Sequence, residues 1–211
     1  MRFFLNRVVA PFIIFPFLKL FNRLEITGLE NIPLTGPAII IGNHKSMWDP
    51  VILYCLIKRG VCFMAKTELF KVPLVGYAIS KIGSFPVKRD AVDRNALRMA
   101  TKVLEKGDLL GIFPEGHRNP DGAMLEFKSG AALFACRAKA MVIPVLFENT
   151  YNIFPRTFRP VVRVTIGAPL DLSEYYNQKL RAEILENMTD AFKTAILALS
   201  SNESPASGRS R

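Results

Sequence analysis

The sequence is poor in the side chains that build disulfide frameworks and metal centres. Only three of its 211 residues are cysteines, Cys55, Cys62 and Cys136, and no two of them form a Cys-x-x-Cys pair. This spacing supports neither a disulfide scaffold nor a zinc site, so we interpret the thiols as free and mostly buried in a reducing compartment. The two histidines, His44 and His117, are too few for a histidine-rich metal centre. We therefore expect no metal and no cofactor.

The chain also lacks an apolar run long enough to cross a membrane. Its longest run, residues 8–18, has eleven residues, whereas a spanning helix needs about 20, and Pro11 and Pro16 would kink a helix there. No small-x-small cleavage site follows it, which disfavours a secretory signal. We expect residues 1–23, apolar and aromatic with basic residues at both ends, to form a helical segment in the membrane interface. Packing of this segment on the protein's own core is the alternative.

Charge and hydropathy indicate one domain with an anionic partner. Half of the residues are hydrophobic, the mean hydropathy is +0.21, and the length suits a single domain. Twenty-eight Lys and Arg against 18 Asp and Glu give a net charge of +10 and a pI near 9.7. Such a surplus suits nucleic acid, a membrane surface or a phosphorylated substrate. Nucleic acid is disfavoured, because the aromatic residues cluster in the apolar N-terminus instead of alternating with basic ones.

From residue 24 onward, short apolar runs alternate with helical patterns, which indicates an α/β domain over 24–199. Helical periodicity marks residues 90–106 and 174–199, the latter with Ser173 as its N-cap. The Ser-rich end, residues 200–211, should be disordered. About six strands are expected, at residues 38–41, 61–65, 84–87, 109–113, 142–147 and 161–166.

A His-Asp pair follows the first of these strands. His44 lies in a polar segment after the strand, and Asp49 precedes Pro50, which indicates an N-cap followed by the first residue of a helix. If the segment carrying His44 folds back, Asp49 can accept a hydrogen bond from the imidazole and leave the other ring nitrogen to remove a proton. The chain has no Gly-x-Ser-x-Gly elbow, so the hydroxyl to be activated would belong to a substrate. The alternative is a purely structural role, in which His44 is a hydrogen-bonded histidine of the loop and Asp49 only caps the helix.

Basic residues follow three other predicted strands. Lys66 and Arg89 each come at the end of a short strand, and each alone is also explained as a solvated surface charge. Arg118 lies in a Gly and Pro turn with Glu115, where an Arg fork and backbone N–H groups would suit a phosphate. If Lys66, Arg89 and Arg118 converge, they form an oxyanion-binding pocket.

These segments resemble four blocks of the glycerolipid acyltransferases, in the same order and spacing. Within that superfamily, residues 24–170 are most similar to the bacterial 1-acylglycerol-3-phosphate O-acyltransferases. His117 departs from the pattern, because the family usually has Thr or Ser there, and this changes the size and possible charge of the pocket. The matching blocks are Asn43-His44-x-Ser46-x-x-Asp49, Phe85-Pro86-Val87-x-Arg89, Phe113-Pro114-Glu115-Gly116-x-Arg118 and Ile143-Pro144-Val145.

The resemblance implies a fold and roles for the residues. The fold would be α/β, with a single mixed, mostly parallel sheet flanked by helices and an N-terminal interfacial segment. His44 would be the general base and Asp49 its partner. The residues implied in binding the acceptor's phosphate and glycerol are Lys66, Arg89, Glu115, Gly116 and Arg118.

The resemblance also implies a reaction and a location. An acyl chain would pass from acyl carrier protein or acyl-CoA to the free hydroxyl of 1-acylglycerol-3-phosphate (lysophosphatidic acid), which gives phosphatidic acid for phospholipid biosynthesis. The protein would bind the anionic surface of the cell membrane from the cytoplasmic face, as a peripheral, monotopic enzyme. The alternatives are another acceptor, such as glycerol-3-phosphate or another lysolipid, a thioesterase, and a lipid-binding protein without activity.

Overall fold

The computed structural model describes residues 5–87, 93–120 and 122–201. Its centre is one seven-stranded sheet with the strand order β1-β7-β6-β2-β5-β3-β4. All neighbouring strands are parallel except β6 and β7, which confirms the mixed, mostly parallel sheet. The strands are β1 (Arg23–Thr27), β2 (Ala38–Gly42), β3 (Val61–Lys66), β4 (Phe85–Val87), β5 (Leu109–Ile112), β6 (Met141–Glu148) and β7 (Val161–Ile166).

Helices cover both faces of this sheet. The core on one face takes side chains from α1, α2 and α3, and the core on the other takes them from α5, α6 and α8. Three short 3-10 turns cover Leu29–Asn31, Thr67–Lys71 and Thr150–Asn152. The helices are α1 (Leu5–Ile14, with π-type hydrogen bonding), α2 (Phe15–Phe21), α3 (Trp48–Leu56), α4 (Pro73–Lys81), α5 (Arg94–Glu105), α6 (Gly130–Ala138), α7 (Ser173–Tyr176) and α8 (Ala182–Ser201).

Strand β2 shows why the sequences of the central strands are continuous apolar runs. Ile39 and Ile41 belong to the core beneath α5, α6 and α8, whereas Ala38 and Ile40 belong to the core beneath α1, α2 and α3. Successive side chains of a strand point to opposite faces, so a strand covered on both faces must be apolar at every position. The polar residues that follow β2 therefore mark the edge of the sheet.

Two features of the fold differ from the sequence analysis. Strand β1 was not expected: Arg23–Thr27 is an edge strand of mixed polarity, paired with β7. The helix expected over 174–199 is interrupted, since α7 ends at Tyr176 and α8 begins at Ala182. Ser173 is the first residue of α7 and not its N-cap, and its N–H donates to the Asp171 carboxylate.

The boundaries of the two ends also differ from those expected. Helix α8 continues through Ser200 and Ser201, so the first two residues of the predicted tail are helical. The rest of that prediction, residues 202–211, lies outside the described residues, as do residues 1–4. At the start of the domain, β1 includes Arg23, which the sequence analysis assigned to the N-terminal segment.

Helices α1 and α2 are each buried on one side and exposed on the other. Ala10 and Leu18 are buried in the core of the domain. In contrast, Phe12 is 73% exposed and Leu20 is 64% exposed. Packing on the protein's own core, the alternative considered above, therefore accounts for one side of these helices. Within the described ranges, no helix is long and apolar enough to span a membrane. Binding of the exposed side to a membrane stays a prediction.

Gly111 in β5 allows a close approach of an aromatic ring from β3. A Cβ atom placed on Gly111 would lie 2.3 Å from Cε1 of Phe63, whose side chain is buried. We predict that Gly111→Ala lowers the free energy of unfolding by about 1–3 kcal/mol, because the ring must move within a packed core. Equilibrium unfolding in urea measures this change.

Gly130 provides the matched control. It is the first residue of α6, and a Cβ atom placed there meets nothing within 4 Å. Gly130→Ala should leave stability unchanged or raise it by up to about 1 kcal/mol, since alanine favours the helix. Equal effects of the two substitutions would contradict the packing argument.

Candidate active site

The candidate site lies where the parallel strands end. His44 follows β2, Lys66 ends β3, Glu115 follows β5 and Thr150 follows β6. Because the carboxyl ends of parallel strands meet at one edge of the sheet, residues far apart in the sequence come together there. Arg89, which follows β4, lies outside the described residues, so its predicted place in the site stays a prediction.

The structure brings His44 and Asp49 together. Nδ1 of His44 lies 2.8 Å from Oδ2 of Asp49, and the Asp49 side chain is completely buried. An imidazole that donates from Nδ1 keeps the lone pair on Nε2, which is the tautomer needed to accept a proton. The ring of His44 stacks on Phe113 with 4.2 Å between ring centres, and this contact restricts its rotation.

Asp49 is not the N-cap expected from the sequence. Helix α3 begins at Trp48, so Asp49 lies inside its first turn. Its carboxylate turns back toward the preceding loop, where Oδ2 accepts the N–H groups of Lys45 and Ser46 at 2.8 and 2.7 Å. These bonds hold the loop in the folded-back form that lets His44 reach the same oxygen.

Thr150 completes the surroundings of this carboxylate. Its hydroxyl is fully buried and lies 2.5 Å from Oδ1 of Asp49. As the carboxylate is the acceptor, the hydroxyl is the donor. Thr150 is 101 residues away from Asp49 in the sequence, and the contact between them was not predicted. The sequence carries no signal for it beyond its position just after a predicted strand.

Two other side chains fix the loop that carries His44. Asn43 is buried and bridges to β6, donating to the carbonyl of Phe147 and accepting its N–H. Glu115 is also buried, and its two carboxylate oxygens accept the N–H groups of His44 at 2.6 Å and Leu125 at 2.9 Å. Both oxygens of Glu115 therefore have partners within the protein. Its implied contact with the acceptor stays a prediction.

The loop's own amide groups are largely used inside the protein. The N–H groups of His44, Lys45 and Ser46 bind carboxylates, and that of Gly116 donates to the carbonyl of Phe113 at 3.0 Å. Amide groups beside a general base are common donors to an oxyanion. These four N–H groups instead hold the His-Asp pair and the turn after β5.

An apolar cavity of about 410 Å³ opens beside His44. Gly116 lines it with φ of +72°, a conformation that favours glycine. Lys128 is the lysine in its lining. The apolar part of the wall is formed by Met64, Val87, Ala96, Leu97, Ile112, Phe113, Leu133 and Phe134.

A second cavity, of about 350 Å³, lies beside the same loop and is basic. Lys45, Arg118 and Arg156 line it together with the indole of Trp48. Lys66 lines neither cavity: its side chain is exposed, with Nζ 3.7 Å from a carboxylate oxygen of Glu68. The structure thus brings Arg118 together with two cations that the sequence analysis did not propose.

Burial makes two of the three cysteines poor nucleophiles. Burial raises the pKa of Cys55 to about 12 and also raises the pKa of Cys136. A thiol with a raised pKa holds little of the reactive thiolate at neutral pH. In the ranges that the structure describes, no three His, Cys, Asp or Glu side chains are grouped so as to hold a metal ion.

Comparison with known proteins identifies the family. A family model described as "Acyltransferase" matches residues 23–148, more than half of the chain. The chain belongs to the acyltransferase family. The matched residues include His44, Asp49, Lys66, Glu115 and Arg118, whereas Thr150 and Arg156 lie just beyond them.

Several curated relatives share this acyltransferase domain. The chloroplastic 1-acyl-sn-glycerol-3-phosphate acyltransferase LPAT1 of Arabidopsis thaliana is 33% identical, with 88% of this chain and 53% of the relative aligned. The 1-acyl-sn-glycerol-3-phosphate acyltransferase of Borreliella burgdorferi is 32% identical, with 82% and 72% aligned. The chain spans about half the length of the chloroplastic relatives.

A solved structure shows the same acyltransferase fold. The crystal structure of the 1-acyl-sn-glycerophosphate (LPA) acyltransferase PlsC from Thermotoga maritima superimposes with a TM-score of 0.73 at 28% sequence identity. The match covers 96% of this chain and 82% of the other. The mixed sheet and its flanking helices are therefore the fold expected from the resemblance.

We predict that Thr150→Val lowers the free energy of unfolding by about 1–3 kcal/mol, because a buried carboxylate oxygen loses its hydroxyl donor. Valine has nearly the same shape, so packing should change little. Denaturant unfolding checks this value. Thr189→Val is the control, since the Thr189 hydroxyl only donates to the carbonyl of Leu185 within α8. A loss no larger at Thr150 than at Thr189 would contradict a special role for the Asp49 contact.

Proposed function

We propose that this chain acylates the free hydroxyl of 1-acylglycerol-3-phosphate, with acyl carrier protein or coenzyme A as the thioester donor, and so makes phosphatidic acid for phospholipid biosynthesis. The observation that carries the proposal is the His44–Asp49 pair, held at 2.8 Å between an apolar cavity and a basic one. The reaction brings together the acyl chain of the donor and the phosphate of the acceptor, so it needs surfaces of both kinds. The names of the curated relatives support this acceptor.

The reaction is a direct transfer. Nε2 of His44 takes the proton of the acceptor hydroxyl as the oxygen attacks the thioester carbonyl. The tetrahedral intermediate then collapses, the carbon–sulfur bond breaks, and the proton on His44 passes to the leaving thiolate. Asp49 keeps the tautomer and stabilises the imidazolium between the two proton transfers. The raised pKa of Cys55 supports a mechanism without an acylated thiol.

The apolar cavity is the proposed site for an acyl chain. Apart from Lys128, Asp93, Ser129 and His44 its lining is aliphatic, aromatic or backbone in character, and His44 lies in its wall. A chain bound there would have its carbonyl carbon at the ring that activates the hydroxyl. Burial of each methylene of such a chain contributes about 0.8 kcal/mol, so the depth of the cavity should select the chain length.

The exposed side of α1 and α2 is the proposed membrane contact. Phe12, Ile13, Phe17 and Leu20 are exposed there, and Lys19 lies beside them. Burying such side chains in the lipid interface stabilises binding by roughly 1.5–3 kcal/mol each, before ordering costs. The lysine adds about 1 kcal/mol on an anionic leaflet. The protein would then act as a peripheral, monotopic enzyme at the cytoplasmic face, where both a lipid acceptor and a soluble donor can reach it.

We predict that His44→Ala lowers turnover with 1-acylglycerol-3-phosphate by about 10²- to 10⁴-fold, because the general base is lost. The measurement is thiol release from an acyl thioester with and without the acceptor. His117→Ala is the comparison: His117 is exposed and lines neither cavity, in contrast to the pocket position that the resemblance implies, so its turnover should stay within a few-fold of the wild type. Near-normal turnover of His44→Ala, or thiol release that does not need the acceptor, would overturn the proposed transfer.

We predict that Leu133→Phe shifts the preferred acyl donor to shorter chains. Leu133 lines the apolar cavity, and the larger ring fills part of it. Competition among acyl thioesters of different length measures the preference. Leu180→Phe is the control, because Leu180 is 42% exposed and lies outside the cavity. An unchanged length profile for Leu133→Phe would exclude this cavity as the chain site.

A further inference from the structure

We infer that Arg156 completes, with Lys45 and Arg118, a binding site for a phosphate group of one of the substrates. This inference rests on the proposed function and deepens it, since it adds residues that neither the resemblance nor the comparisons assign. The shared chemistry is a phosphate ester, which the acceptor carries on glycerol and the donor carries on its pantetheine arm. The three cations line one cavity of about 350 Å³ beside the His44 loop.

The charge of this cavity favours an anion. Its lining holds three cationic side chains, and none of the lining residues is acidic. The other lining side chains that can donate hydrogen bonds are those of Ser46, Trp48 and Tyr151. A phosphate has several acceptor oxygens, and the planar guanidinium groups of arginine bind two of them at once.

Arg156 is held in place before any ligand binds. Its guanidinium carbon lies 3.7 Å from the centre of the Tyr151 ring, which is a close cation–π contact. Three contacts hold the segment that carries Arg156. The Thr150 hydroxyl binds Asp49, the side chain of Ile153 is buried, and the Phe154 ring stacks on Phe21 with 4.5 Å between centres. A cation held in this way loses little freedom when it binds a ligand.

The other two cations are tied to the same network. The N–H of Lys45 donates to Asp49, and its ammonium group donates to the carbonyl of Gly122 at 2.6 Å. Arg118 precedes Asn119, whose N–H donates to the carbonyl of His44 at 2.8 Å. All three cation-bearing segments therefore contact the His44–Asp49 pair or its loop. A phosphate in this site would be held at a fixed distance from the base.

Two soluble compounds distinguish the sources of the phosphate. sn-Glycerol 3-phosphate represents the acceptor headgroup, and 4′-phosphopantetheine represents the donor arm. Isothermal titration gives the Kd of each with the full chain, and glycerol is the uncharged comparison. Trp48 is the single tryptophan of the chain and lines the cavity, so its fluorescence shows whether a compound binds there.

We predict that Arg156→Ala weakens binding of one of these compounds by about 10- to 100-fold, the range for a hydrogen bond to a charged group. Arg156→Lys should recover part of the lost affinity, because lysine keeps the positive charge but lacks the planar guanidinium group that binds two oxygens at once. Arg98→Ala removes an exposed arginine of α5 outside the cavity and should leave Kd unchanged. If Arg156→Ala does not fold, Lys45→Met is measured in its place and should weaken the binding of one of the two phosphate compounds.

The compound that loses affinity identifies the source, acceptor or donor. The inference is overturned if the wild type binds neither compound, if Arg156→Ala and Lys45→Met leave both Kd values unchanged, or if Arg98→Ala has an equal effect. Kinetics separate this result from the proposed function. If the enzyme is active and its KM values for acceptor and donor do not change in Arg156→Ala, the proposed function is supported and the phosphate site is excluded. If binding depends on Arg156 but no acyl transfer is detected, the phosphate site is supported and the proposed function is excluded.

Discussion

The active site depends on one buried carboxylate. The side chain of Asp49 is removed from water, and an uncompensated charge in such a place would cost several kcal/mol. Its Oδ2 is bonded to Nδ1 of His44 and to the N–H groups of Lys45 and Ser46, and its Oδ1 is bonded to Thr150. The donors come from the loop after β2 and from the turn after β6. Satisfying the charge therefore requires both segments to lie together, and this fixes the position of His44.

The parallel sheet makes that meeting possible. Strands β2, β5 and β6 are adjacent or one strand apart and end at the same edge of the sheet. The segments that follow these strands are therefore neighbours because of the strand order alone. Hydrogen bonds then connect the segments directly, as in the bonds from the N–H of Asn119 to the carbonyl of His44 and from the N–H of His44 to the carboxylate of Glu115. The loops of the site are therefore held in place by hydrogen bonds to one another.

The sequence predicted the parts of the site that are local. His44 and Asp49 are five residues apart and stand after an obvious buried strand, so their pairing could be expected. Thr150 and Arg156 could not be, since their contacts depend on which strands are neighbours and on where each strand stops. Strand β1 was missed for a similar reason: an edge strand of mixed polarity has little pattern of its own and is defined by its pairing with β7.

One dipeptide explains why two unlike cavities share the loop that carries His44. His44 lines the apolar cavity and the next residue, Lys45, lines the basic one. Two adjacent residues, an imidazole and a cation, therefore face different surroundings. The carboxylate of Asp49 binds both residues, at the ring of the first and the amide of the second. In the proposed reaction, an acyl chain in the apolar cavity and a phosphate in the basic one would lie on either side of this loop, with the reacting atoms at His44.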